Sequence, residues 1–102
     1  MTTKAKILDI AMNLNRIGNW AADDYLGKKE RIITFLTNTS NYLKDLRGAK
    51  YPASFEETVK TFEKEYPKLE HEGISGPKDT LLWAEKMMTW GNILTHRSQL
   101  IK

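Results

Sequence analysis

The chain has 102 residues, 40% apolar and 28% charged, with no cysteine, two histidines and a formal net charge of +3. That composition fits one ordinary globular domain spanning 1–102, excludes disulfides, thiolate metal sites and cysteine nucleophiles, and suits a reducing compartment. No uninterrupted apolar run with a cleavage site follows the first residues, and no stretch approaches 18 apolar residues, so no membrane span is expected and a cytoplasmic location is.

The first helix is expected to start with Thr3 as its N-cap. Ile7, Ile10, Ala11, Leu14, Ile17 and Ala21 recur at spacings of three and four, the helical period. Gly18-Asn19 offers one end to this helix and Gly27 another, so a break is expected between them. A second helix covers roughly Lys28 to Arg47, or starts at Asp23-Asp24, with Ile32, Ile33, Leu36, Thr39, Leu43 and Leu46 toward a core. Gly48 is its natural stop, and the polar run Thr37–Asn41 is a place for fraying or a bend.

Pro52 disfavours helix at Tyr51, so residues 49–53 read as a connection. Ser54 and Glu57 have the spacing of a capping box, which starts a third helix with Phe55, Val59, Phe62, Tyr66 and Leu69 on one stripe. Pro67 lies inside that stripe and predicts an end near Tyr66 or a kink. Residues 73–77 read as a loop, and Pro77 favours the first turn of a fourth helix running to about Leu100. Its stripe is Leu81, Ala84, Met87, Met88, Gly91, Leu94, Ser98 and Ile101, widened by Trp83, Trp90 and Ile93.

No segment alternates apolar and polar residues as a strand does. The fold class is therefore all-α: a four-helix bundle-like domain, mostly antiparallel, with short loops.

The chemical motifs are sparse. The two histidines are 25 residues apart and lack the helical partners of a zinc or di-iron site, so no metal and no cofactor is expected. His71 stands among carboxylates in Glu70-His71-Glu72, a poor setting for a phosphoryl group. Gly73-x-x-Gly76 lacks the Gly-Lys-Ser/Thr ending of a phosphate loop, and no nucleophile elbow is present.

Two surfaces remain. Trp83, Met87, Trp90 and Leu94 lean to one side of the fourth helix, where they either pack as core or present an interaction surface; Ala84 and Gly91, seven apart, would let another helix approach closely. Lys28, Lys29, Arg31, His96 and Arg97 are candidate anion or nucleic-acid contacts. Charge alternates along the chain, with 27–50 carrying six basic and two acidic residues and 51–74 three basic and six acidic, so antiparallel neighbours would offset each other. The leading expectation is a non-enzymatic protein that binds another protein, including a second copy of itself. A nucleic-acid-associated regulator using 28–50, and a small-ligand-binding or accessory subunit, are the alternatives.

Overall fold

The computed structural model describes residues 2–101. They form α1 (Thr3–Asp24), α2 (Lys29–Asp45), α3 (Ala53–Ser75) and α4 (Thr80–Arg97), followed by a 3-10 turn at Ser98–Leu100. No strand occurs among the described residues. The all-α four-helix bundle is what the helical periodicity implies.

The helix boundaries show which local signals prevailed. Thr2, not Thr3, caps α1: its Oγ1 accepts from the Ala5 amide at 3.1 Å. Gly18 does not end the helix, which continues to Asp24. The turn to α2 is held by Asp24, whose Oδ1 accepts from Gly27 N at 3.0 Å and whose carbonyl accepts from Lys28 N. Residues 37–41 stay helical. Thr39 there turns its hydroxyl back to the Phe35 carbonyl at 2.8 Å and accepts from the buried Asn13 amide at 3.3 Å, so its polar atom is satisfied inside the bundle. The chain leaves α2 through Gly48 at φ 81°, a left-handed conformation suited to glycine.

Ser54 and Glu57 do not form a capping box. Pro52 occupies the N-cap position, and its carbonyl accepts from Phe55 N and Glu56 N. Pro67 neither ends nor interrupts α3, which runs on for eight residues to Ser75. Pro67 and Glu63 are both exposed, so the Glu63 carbonyl that loses its helical donor can be hydrated. Pro77 lies outside α4. Asp79 is the cap, accepting from Leu82 N at 3.0 Å.

The helices run up, down, up and down in a ring, each packed on its two neighbours, with α4 closing onto α1. Contacts across each pair fix this antiparallel order: Asn13 with Thr39 and Trp20 with Phe35, Tyr66 with Leu36, Phe62 with Trp90, and Gly18 with Met88. The molecule measures 38 × 20 × 20 Å.

The ring is not symmetric, because side-chain size differs around it. Where α1 meets α4, Gly18 faces Ala84 and Met88, and Gly91 faces Asn15, so two backbones approach closely and make the broadest contact. Around α3 the fillers are large: Phe55, Phe62, Tyr66 and Trp83 are all buried. Bulky side chains hold α3 at a greater distance from α2 and α4, and a groove remains along each of its flanks.

Candidate functional site

Three residues of the expected interaction surface belong to the core instead. Trp83 is 2% exposed, and Met87 and Leu94 are fully buried. Trp83 donates its Nε1–H to the Leu69 carbonyl at 3.0 Å, meets Tyr25 edge-on at 6.5 Å, and packs against Gly73. Because α4 contacts both α1 and α3, most of its wide apolar arc is covered within the chain, with Leu81, Leu82 and part of Trp90 left outside. Leu81, placed on the core stripe by periodicity, is exposed. Trp90 is half-buried, with one side of its ring tilted against Phe62 at 5.2 Å.

Trp90 and Leu69 floor the groove between α3 and α4, a volume of about 350 Å³ with Leu82 at its mouth. Glu65, Lys68 and Glu72 rim the α3 side, Glu85 and Lys86 the α4 side. None of these five charges enters an ion pair among the described residues. From Leu82 to Trp90 the groove follows eight helical steps, about 12 Å at ~1.5 Å per residue.

The same end of the bundle carries most of the unpaired apolar surface. Tyr25, Gly73 and Trp83 meet there, the Tyr25 hydroxyl donating to the Gly73 carbonyl. Their chain neighbours point outward: Leu26 is 82% exposed, Ile74 41% and Leu82 47%, and Leu81 beside them 59%. Only Met12 and Leu100, among exposed large apolar side chains in the described residues, lie elsewhere. Sequence reasoning singled out none of Leu26, Ile74 and Leu82, and it placed Leu81 in the core. Leu26 between Tyr25 and Gly27, at the foot of a turn, was the available signal.

The basic set is not one surface. Lys28, Lys29 and Arg31 stand at the turn end, His96 and Arg97 at the opposite end of a 38 Å molecule. Lys28 pairs with Asp23 at 2.6 Å, and Arg31 lies 5.1 Å over the Trp20 ring. Arg97 reaches across to donate to Thr58 Oγ1 at 2.9 Å, stitching α4 to α3. His71 and His96 are exposed and far from each other along the bundle. The described residues hold no group of three or more His, Asp or Glu arranged for a metal, and no helix long and apolar enough to cross a membrane.

The second groove, between α2 and α3, is smaller, about 190 Å³. Partial burial raises the Glu70 carboxyl above the ordinary range, with Lys44 acting in the other direction. Its mouth is polar on both sides, with Ser40, Lys44, Arg47 and Glu63.

No family model, curated protein or solved structure matches this chain.

Proposed function

We propose that this chain is a non-enzymatic interaction module that docks an amphipathic helix of a partner protein in the groove between α3 and α4. One observation carries the reading: an apolar floor of Leu69 and the half-buried Trp90 opens at Leu82 onto an end bearing Leu26, Ile74 and Leu81. Exposed apolar groups gathered in one region, rimmed by charge, are the usual mark of a protein contact. A half-buried Trp at the floor of such a groove has the area and rigidity of an energetic anchor.

Shape favours one occupant. A stable dimer of the usual kind hides about 800 Å² on each partner and calls for a broad flat face, whereas the bundle is only 20 Å across. A single helix laid along about 12 Å of groove needs less surface and matches its shape, with side chains at three- and four-residue spacing on Leu69, Leu82 and Trp90.

A displayed library of helical peptides selected on the full chain tests this. Enriched peptides are expected to carry apolar residues at helical spacing and to shift the NMR signals of Leu69, Leu82 and Trp90. Leu82→Asp, at an exposed position, should weaken them at least about tenfold. Peptides that bind elsewhere, or that are indifferent to Leu82→Asp, would overturn the reading.

A further inference from the structure

Two residues in the described chain have positive φ, Gly48 at 81° and Gly76 at 103°, and they stand one before and one after α3. Among the described residues, no atom beyond the chain neighbours lies within 4 Å of where a Cβ would sit at either position. Both connections therefore have a glycine backbone that turns without steric cost and open space to turn in. The turn between α1 and α2 differs: Asp24 clamps it through Gly27 and Lys28, and it has no positive φ.

The attachment of α3 is also unlike that of the other helices. Where α1 meets α4, the backbones approach closely through Gly18 and Ala84. Around α3, bulky side chains leave the grooves of about 350 and 190 Å³, and a third gap of about 220 Å³ where Leu46 and Arg47 face Val59 and Lys60. Directional bonds cross these gaps. Of the side-chain hydrogen bonds joining distant elements among the described residues, all but Asn13–Thr39 hold α3. Arg97 donates to Thr58, Tyr66 to the Leu36 carbonyl, Trp83 to the Leu69 carbonyl and Tyr25 to the Gly73 carbonyl, at successive levels along the helix. Just before α3, the Tyr51 hydroxyl is buried and has no hydrogen-bond partner among the described residues, a cost that exposure to water relieves.

We infer that α3 is a hinged strap: turning at Gly48 and Gly76, it lifts from the bundle as one unit while α1, α2 and α4 stay packed. Hydrogen bonds weaken steeply with distance and angle, so a small displacement breaks the four together and gives two discrete arrangements, latched and lifted. The Asn13–Thr39 bond and the edge-on contact of Trp20 with Phe35 keep α2 on α1. The lifted state is the minor one, because Phe55, Val59, Phe62, Tyr66 and Leu69 leave the core in it. Lifting widens the grooves on both flanks, so a partner helix seated between α3 and α4 would bind the lifted state more tightly and raise its population. That use rests on the α3–α4 groove being the docking site; the movement itself does not.

Native-state hydrogen exchange on the full chain tests the strap without any partner, followed by NMR at several urea concentrations below the unfolding transition. The hydrogen-bonded amides of α3 are expected to share one protection, at least about tenfold below the best protected amides of α1 and α4, with a shallower urea dependence. Tyr25→Phe removes one latch and should speed the α3 amides together, by about fivefold. Gly18→Ala crowds α1 against α4 and touches none of the attachments of α3, so it should speed the α1 and α4 amides alone.

Equal protection and equal urea dependence in α1, α3 and α4 would make the bundle one cooperative body and overturn the strap. So would α3 amides that exchange residue by residue without urea dependence, a response to Tyr25→Phe confined to the neighbours of Gly73, or an α3 that follows Gly18→Ala. Exchange of α3 as a unit in a chain that binds no helical peptide would remove the docking reading and leave the strap standing.

Discussion

A methyl group placed at Gly18 lies 2.8 Å from the carbonyl oxygen of Ala84 and collides with Met88. Met88 is flexible and can move, but the Ala84 carbonyl is backbone on the facing helix and cannot without shifting α4. Two effects oppose each other in Gly18→Ala. Helix propensity favours alanine by about 1 kcal/mol, while overpacking a close helix contact costs about 1–3 kcal/mol. Overpacking prevails because the obstacle is main chain. Gly18→Ala should therefore lower stability by about 1 kcal/mol, read as a lower urea midpoint with unchanged slope. At Gly91 the three nearest atoms all belong to the Asn15 side chain, and there the neighbour can give way.

The element that departs most from its sequence signals is α3. It passes through Pro67 because both of its flanks are fastened by buried groups: Tyr66 donates its hydroxyl to the Leu36 carbonyl at 2.7 Å, and Leu69 accepts from Trp83. Proline in a helix interior costs about 3 kcal/mol relative to alanine, and its stiffening of the unfolded chain returns about 0.4–1 kcal/mol. Pro67→Ala should raise stability by about 2 kcal/mol, seen as a higher urea midpoint. A fall would mean that Pro67 sets a helix path the core requires. The position is exposed, so no packing is lost by the change.

At the scale of the whole molecule, three tyrosines make stability depend on alkaline pH, and the hydroxyls of two of them, Tyr25 and Tyr66, also tie elements together. Burial raises the Tyr25 and Tyr66 hydroxyls above the ordinary phenol range, and Tyr51 is raised by burial and by nearby Glu63. Their protons are held more tightly in the folded chain than in the unfolded one. The folded state therefore keeps its full stability below about pH 10, the unfolded value, and loses it as pH rises beyond. Phenolate absorbance and helix loss should rise together in an alkaline titration. Phenolate formation on the intact bundle at Tyr66 would contradict this. Below neutrality the raised Glu70 acts in the same sense: its folded form favours the proton, so its unfavourable contribution fades as pH falls through the carboxylate range.

The sequence by itself determined that the chain makes four helices, because a period of three to four is a local property that no partner is needed to read. It also determined most of the core of α1 and α3: Ile7, Ile10, Leu14 and Ile17, and Phe55, Val59, Phe62, Tyr66 and Leu69, are all buried as their spacing implies. Local breakers were less reliable. Gly18 and Pro67 read as ends, yet both lie inside helices, since one is needed for a close crossing and the other sits on an exposed face.

Only the tertiary structure decided which side of α4 faces inward. Leu81, Leu82 and Trp83 are consecutive and all apolar, so the pattern allows any of them into the core. The close approach to α1 through Gly18 and Ala84 fixes how α4 is turned, putting Trp83 inside and leaving Leu82 at the groove.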